Sequence, residues 1–329
     1  MLNVSRKLRG IFLILLVTFS VSLASRYIKR TQHFTIGISE WNSNHDYERN
    51  IQGFKDGLRE QGFIEGKNIR YLLENPKADF DRQVEIIESF VEKKVDLIYS
   101  LTTPGTLAAK SVTKDIPIVF SMVTYPEEVE IIKSLSASGN NLVGTRNYVP
   151  PARQYFYFEK VVPHIKTLAF VHRKNEPNSS IQFNEFYAML YNRNISVVDI
   201  SAISVEDIYQ LLEPNMSRFD ALYLACDTLI QVGGDEVVLE LSRKYKKPTL
   251  SCFEDGVVKG ALMGNVTDFY AIGKMSGGQA ALVLRGFPPM RISTESTQGD
   301  HILLNSKTAE QLNMSFPKVV LEKAAKIIP

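Results

Sequence analysis

The chain has 329 residues, of which 44% are hydrophobic and 22% are charged, as in an ordinary globular protein. This length predicts two domains, and the net charge of +2 with no basic stripe argues against a nucleic-acid-binding protein. The five histidines are not paired at metal-ligand spacing, so we expect no metal site and no cofactor.

The N-terminus has the features of a secretory signal peptide. Arg6, Lys7 and Arg9 precede an apolar run at 11–23, and small residues around Ala24 suit a cleavage site. The run is short for a membrane span, which needs about 20 apolar residues. We therefore expect export to the periplasm or another extracytoplasmic space. An uncleaved membrane anchor is the alternative, because more basic residues follow closely.

Apolar runs alternate with helical patterns through the first half of the chain. This alternation is typical of a parallel sheet covered by helices. The patterns predict strands at 34–39, 69–73, 97–101 and 118–123, and helices at 47–61, 80–93 and around 128–135.

Two of these strands end in the same pattern. Thr102 with Pro104 follows the third strand, and Thr124 with Pro126 follows the fourth. Threonine is a favoured N-cap, and proline suits the first turn of a helix. Because parallel strands end at the same sheet edge, two helix N-termini would meet there and favour an anionic ligand group. The alternative is that these are ordinary loops whose caps serve only the helices.

The same alternation restarts near residue 150. We therefore predict an α/β protein with two doubly wound parallel-sheet lobes, which face each other across a cleft and close by hinge motion. The second half is predicted to contain strands at 167–171, 196–200, 221–225, 249–252, 261–266 and 301–304, and helices at 151–161, 179–192, 205–212, 235–245 and 269–285.

The two cysteines, Cys226 and Cys252, each follow an apolar run. If the two strands are neighbours, both cysteines lie at one sheet edge, and export would permit a disulfide. Two half-buried thiols are the alternative, because only geometry decides the pairing.

The order of several segments resembles the exported substrate-binding proteins of ABC transporters, in particular the subfamily related to tryptophan- and tyrosine-binding proteins. The resemblance covers about residues 33–326. The segments are ISEW, GFKDGLREQGFIEGKNI, SLTTPGTLAAKSVTKDIPIVF, VTYPEEVEIIKSL, NLVGT, FDALYLACDT, KKPTLSCFEDGVVKGALMGNVTDFYAIGK and ILLNSKTAEQLNMSFP.

This resemblance implies the type I periplasmic-binding-protein fold, with three interlobe crossings near Thr145, Asp268 and Thr297. It also implies a monomer that binds an amino acid and delivers it to an ABC permease. The expected divisions are 1–24 for the signal peptide or anchor, 33–145 with 268–297 for the first lobe, and 146–267 with 298–329 for the second lobe.

The resemblance further implies a ligand site between the lobes. The carboxylate of an amino acid would bind at the helix start near Thr102, and its ammonium at Asp227, with Glu40 or Asp255 as alternatives. Asp227 could instead simply cap the following helix. The full set of implied site residues is Ser39, Glu40, Trp41, Thr102, Thr103, Thr106, Thr124 and Tyr125 in the first lobe, and Asn178, Ser179, Asp227, Phe253 and Asp255 in the second.

Three of these side chains are aromatic and could stack on the ligand, namely Trp41, Tyr125 and Phe253. Trp41 could equally be buried packing. Tyr125 replaces an aspartate common in relatives, and Arg146, Asn147 and Tyr148 are large and polar where relatives are often small. These departures predict a narrowed pocket or a changed ligand.

No enzyme signature is present. No strand precedes a GxGxxG loop, and neither a P-loop nor a GxSxG elbow occurs. We therefore expect a binding protein and not an enzyme. The alternative function is a membrane-held sensory protein that reports its ligand to a receptor or kinase, since its fold and pocket would look the same.

Overall fold

The computed structural model of the protein describes residues 33–329. The expected signal peptide or anchor at 1–24 lies outside these residues. Within 33–329, no helix is both long enough and apolar enough to cross a membrane.

The first lobe is built on a five-stranded parallel sheet in the order β2–β1–β3–β4–β5. The central strands β3 and β4 are buried along their whole length, because helices cover both faces of the sheet. The strands are β1 (Phe34–Ser39), β2 (Ile69–Glu74), β3 (Leu97–Leu101), β4 (Ile118–Val123) and β5 (Leu142–Arg146), and the helices between them are α1 (His45–Glu60), α2 (Phe80–Glu92) and α3 (Thr103–Val112).

The second lobe is built on a seven-stranded sheet in the order β12–β11–β10–β9–β8–β6–β7. All its neighbouring strands are parallel except β10 and β11. Its strands are β6 (Thr167–Arg173), β7 (Ser196–Ala202), β8 (Ala221–Leu224), β9 (Thr249–Ser251), β10 (Met263–Asn265), β11 (Ile302–Asn305) and β12 (Ala324–Ile328). The helices after residue 150 are α4 (Pro151–Val161), α5 (Pro177–Tyr191), α6 (Val205–Leu212), α7 (Asp235–Tyr245), α8 (Glu254–Lys259), α9 (Phe269–Leu284), α10 (Ser306–Gln311) and α11 (Lys318–Leu321).

Helix α9 follows the second sheet in sequence but packs on the first lobe, against α1. Glycines let the two backbones touch. A Cβ at Gly273 would lie 2.0 Å from the carbonyl oxygen of Asn50, and one at Gly53 would lie 2.2 Å from that of Tyr270. Any larger side chain at these two positions would push the helices apart.

The chain passes between the sheets after β5, after β10 and before β11. Hydrogen bonds tie these crossings side by side. The Arg146 N–H donates to the Glu295 carbonyl at 2.8 Å, and the Val266 N–H donates to the His301 carbonyl at 3.0 Å. The predicted fold class, two α/β lobes joined by three crossings, is therefore confirmed. The exact lobe boundaries stay predictions.

The helix predicted around 128–135 is wrong. This segment forms turns, in which the Ile132 N–H donates to the Pro126 carbonyl at 3.0 Å and Glu130 has φ 57. Because there is no helix here, only α3 presents a helix N-terminus directly after β3 and β4. Strand β12 was also not predicted.

Candidate functional site

The first-lobe wall of the cleft is the N-terminus of α3. Thr102 has φ 69, and its hydroxyl accepts the Gly105 N–H at 3.3 Å, which starts the helix as the sequence predicted. The hydroxyl of Thr106, one turn inside the helix, is buried and has no hydrogen-bond partner among residues 33–329. The start of α3, with the positive end of the helix dipole, therefore faces the cavity from this side.

The second-lobe wall carries two buried carboxylates. Asp227 follows β8 and accepts the N–H groups of Arg173 at 2.7 Å and Ile230 at 2.9 Å. Glu176 precedes α5 and accepts the hydroxyl of Thr228 at 2.6 Å. By accepting the Ile230 N–H, Asp227 also caps the helical segment that starts at Thr228, as its alternative interpretation proposed.

Burial shifts the titration of both acids. Burial, together with the nearby charge of Glu176, raises the pKa of Asp227 to about 7. Burial also raises the pKa of Glu176, although its bonds to Thr228 and the charge of Arg173 oppose the rise. A positive charge bound at this wall would lower the pKa values of Asp227 and Glu176, and the two ionised carboxylates would stabilise that charge.

A small cavity separates the two walls. Its volume is about 10 Å³, which is room for one water molecule. In this conformation an amino acid fits only after side chains turn or the lobes separate. Thr102, Thr103, Met122 and Asn147 line the cavity from one side, and Glu176, Asn178, Cys226, Asp227, Thr228 and Gln231 line it from the other.

Hydrogen bonds hold the lobes together on both sides of the cavity. On one side the Tyr47 hydroxyl donates to Gln231 Oε1 at 3.2 Å. On the other, the Tyr125 hydroxyl donates to Glu185 Oε2 at 2.6 Å and the Tyr148 hydroxyl to Oε1 at 3.3 Å. The bonds of Tyr47 and Tyr125 join the two lobes across the cleft.

A second seam lies where α1 meets α8. Asp46 accepts the N–H of Asp255 at 3.2 Å, and Arg49 pairs with Glu254 at 2.6 Å. Asp46 is fully buried, and burial raises its pKa to about 8. The side chain of Asp255 turns to Lys259 at 2.9 Å, away from the cavity lining.

The structure brings four of the predicted site residues to the cavity: Thr102, Thr103, Asn178 and Asp227. Ser179 lies directly behind, since its hydroxyl donates to Asp227 at 3.2 Å. Their contact with a ligand stays a prediction.

Three other predicted site residues of the first lobe are hydrogen-bonded to protein side chains outside the cavity lining or at its edge. The Ser39 hydroxyl donates to Gln83 at 2.6 Å, and that of Thr124 donates to Asn147 at 3.1 Å. Glu40 accepts from Ser43 at 2.9 Å. None of these three lines the cavity.

The three predicted aromatic contacts lie outside the cavity lining. Trp41 is buried against Gly105, and its ring N–H has no partner. Phe253 is buried beside Gly256 in the second lobe. Tyr125 packs edge-on against Tyr148 and is used in the cross-cleft bond.

The predicted set of ligand contacts did not include the lining residues Met122, Glu176, Cys226, Thr228 and Gln231, and Asn147 was expected only as a large residue in the cleft. Of these, Glu176 had a usable signal, because an acidic residue directly before Pro177 stands at a helix start. Among residues 33–329, no cluster of three or more acidic, histidine or cysteine side chains could hold a metal ion.

Cys226 and Cys252 form a disulfide, which resolves the open choice about their pairing. Their Cα atoms are 5.6 Å apart because β8 and β9 are neighbours. The Cys226 N–H also donates to Gln182 Oε1 at 2.9 Å. The bridge therefore fixes the loop that carries Asp227.

The chain is similar to known proteins of one family. Residues 35–328 match the family model described as ABC transporter substrate binding protein. A curated relative, the tyrosine-binding protein of Clostridioides difficile, is 29% identical over 279 residues, which is 85% of this chain and 81% of the relative.

Two solved structures share the fold. A domain from Streptococcus pneumoniae in complex with L-Trp has a TM-score of 0.86 at 24% identity, covering 90% of this chain and 100% of that one. The ligand-free, open structure of a Clostridium difficile substrate-binding protein with adhesive properties has a TM-score of 0.72 at 24% identity, covering 90% and 99%. The family match spans nearly all the described residues, so the chain belongs to the ABC transporter substrate-binding protein family and is a substrate-binding protein, not an enzyme.

Proposed function

We propose that this protein captures an amino acid between its two lobes and delivers it to an ABC permease. Members of the family are extracytoplasmic. The proposal adds the ligand class and the delivery step to the family assignment. We take an aromatic amino acid as the first candidate, because the curated relative is a tyrosine-binding protein.

The observation that carries this proposal is the opposed chemistry of the two cavity walls. The α3 N-terminus at Thr102 and Thr103 suits a carboxylate, because helix N-termini attract anions. The carboxylate of Asp227 suits an ammonium. A zwitterion therefore matches both walls at once, whereas a neutral sugar matches neither charge.

Closure supports the same proposal. Bonds such as Tyr125 to Glu185 form across the cleft, so they favour the closed form in which both walls contact the ligand. A closed cavity of about 10 Å³ is far below the roughly 300 Å³ of a typical ligand pocket. Capture therefore requires the lobes to open by hinge motion before the ligand enters.

A thermal-shift screen tests the ligand class. The purified protein would be melted with L-tyrosine, L-tryptophan, L-leucine, glucose and myo-inositol in turn. A ligand at 100 times its Kd adds about 2.7 kcal/mol of stability. We expect a shift with an amino acid and none with the sugars. Asp227→Asn should abolish the shift, whereas Asp199→Asn, which only loses a bond to His172, should keep it.

Delivery is tested separately by uptake. Cells that lack the gene should lose uptake of the labelled amino acid, and restored gene expression should recover it. Binding without any uptake defect would refute transport and favour the sensory alternative.

A further inference from the structure

Two buried acids share one wall of the cavity. Glu176 is 6% exposed and Asp227 is 2% exposed. Both are held by the same short segment, since Glu176 accepts the Thr228 hydroxyl and Asp227 accepts the Ile230 N–H. Both also line the cavity. The two carboxylates are therefore fixed together where a ligand would enter.

Positive charge at this wall is scarce. Within residues 33–329, the only basic side chain at salt-bridge distance from either acid is Arg173, whose Nε lies 3.8 Å from Glu176. The Arg173 guanidinium also donates to the Thr228 hydroxyl at 2.8 Å. Two ionised carboxylates would leave an uncompensated negative charge in a buried place, which is unfavourable.

Asn178 provides an independent sign of a missing donor. It is 4% exposed and lines the cavity. Its amide N–H donates to the Cys226 carbonyl at 3.1 Å, while its Oδ1 is buried and has no hydrogen-bond partner within the part of the chain that the structure describes. A buried acceptor left unpaired is unfavourable, because it has lost its hydrogen bonds to water. An ammonium has three N–H donors and a positive charge, so it supplies both a hydrogen-bond donor for Asn178 Oδ1 and a counter-charge for the two carboxylates.

We propose that the ligand's ammonium enters between Glu176 and Asp227 in exchange for a proton that the two carboxylates share in the unliganded protein. This inference rests on the proposed function and adds Glu176 to its ammonium site. The proton passes to the solvent buffer when the ammonium binds. The site therefore selects compounds with a protonated primary amine and rejects the same skeleton without one.

The direction of the pH dependence follows from this exchange. Because the pKa of Asp227 is raised to about 7, a proton competes with the ammonium below that pH. Affinity should therefore increase as the pH rises towards 8. The other titratable groups that respond to these charges are Tyr47 of α1 and Tyr223 of β8, and burial raises both pKa values, so they stay protonated.

Calorimetric titration counts the proton. L-Tyrosine would be titrated at pH 7 in phosphate and in Tris, whose ionisation enthalpies differ, with protein expressed from the full-length chain. Because the pKa of Asp227 is about 7, about half of the unliganded molecules hold the proton at pH 7, so we expect release of about half a proton. We also expect at least 100-fold weaker binding of 3-(4-hydroxyphenyl)propionate, which lacks the amine. In Glu176→Gln we expect the release to fall towards zero and the affinity to lose its pH dependence. Glu159→Gln, which removes only a surface pair with Arg193, should behave as wild type.

A second measurement needs no ligand. An acid whose folded-state pKa is raised keeps its proton when the unfolded chain has lost it, so stability falls as pH rises between the two values. For Asp227 this range runs from the ordinary aspartate pKa of 3.8 to about 7. Glu176→Gln removes one acid, so its urea-unfolding free energy should fall less than that of wild type between pH 4 and 8.

The outcomes separate the two proposals. L-Tyrosine binding without proton release, or equal pH slopes in wild type and Glu176→Gln, would overturn this inference and leave amino-acid binding intact. Failure of every amino acid to bind would overturn both.

Discussion

Adjacent glycines on α9 have different surroundings, so replacing each by alanine should change stability in opposite directions. A Cβ at Gly277 would lie 2.3 Å from the Phe54 carbonyl oxygen and 2.9 Å from the Leu58 nitrogen of α1. A Cβ at Gly278 would have nothing within 4 Å. The two variants make the same chemical change in the same helix, so each is the control of the other.

The expected magnitudes follow from these distances. Gly278→Ala should stabilise the protein by about 0.5–1 kcal/mol, because alanine loses less backbone entropy in a helix. Gly277→Ala gains the same amount but must displace the backbone of α1 by about 1 Å to restore ordinary contact. Overpacking of this kind costs about 1–3 kcal/mol. The atoms in the way belong to the main chain, so we expect the upper end and a net loss of about 2 kcal/mol.

Urea unfolding followed by circular dichroism would measure both variants. If the m values are equal, a change in the urea midpoint reports a change in the unfolding free energy. If Gly277→Ala were as stable as wild type, the two helices would not be in backbone contact at this point, and the packing argument would be wrong.

Three further predictions concern the cleft and the second lobe. Tyr125→Phe removes the 2.6 Å hydrogen bond to Glu185. A hydrogen bond to a charged acceptor contributes about 1.5–3 kcal/mol, so the Kd for L-tyrosine should rise about tenfold or more. An unchanged Kd would show that this bond does not hold the cleft closed. Replacing Cys226 and Cys252 together by serine should reduce the unfolding free energy by about 2–4 kcal/mol, and reductant should then affect wild type but not the variant. Burial raises the pKa of Asp46 to about 8, so the unfolding free energy of wild type should fall as the pH rises from 4 to 8. In Asp46→Asn this fall should be smaller. If wild type and variant lost unfolding free energy equally with pH, the burial of an ionisable Asp46 would be contradicted.

Local sequence patterns predicted most elements, and the exceptions have physical causes. The run at 97–101 forms β3 because it is apolar throughout, as a strand buried on both faces must be. The segment at 128–135 has apolar residues too, and Ile131 and Ile132 are both buried. Its backbone, however, bonds to residues outside the segment and not along a helix: the Leu135 N–H donates to the Glu127 carboxylate at 2.9 Å, and the Lys133 N–H donates to the Ser138 carbonyl at 2.8 Å.

The candidate site was predicted in part. Thr102 was found because a threonine before proline is a local capping signal, and the cap is present. Asp227 was placed through the resemblance to the family. Tyr125 was expected at the ligand, but its hydroxyl bonds to Glu185, which is 60 residues away in sequence. No local pattern encodes a contact of that separation.

The sequence by itself determined the alternation of strands and helices, the two-lobed fold and the helix start at Thr102, because each depends on neighbours within a few residues. Only the tertiary structure decided that Glu176 joins Asp227 at one wall, that Cys226 bonds to Cys252, and that Tyr125 bonds to Glu185 across the cleft. These depend on which strands become neighbours and on how closely the lobes approach. Both result from packing of the whole chain, because burial is set by every surrounding element at once.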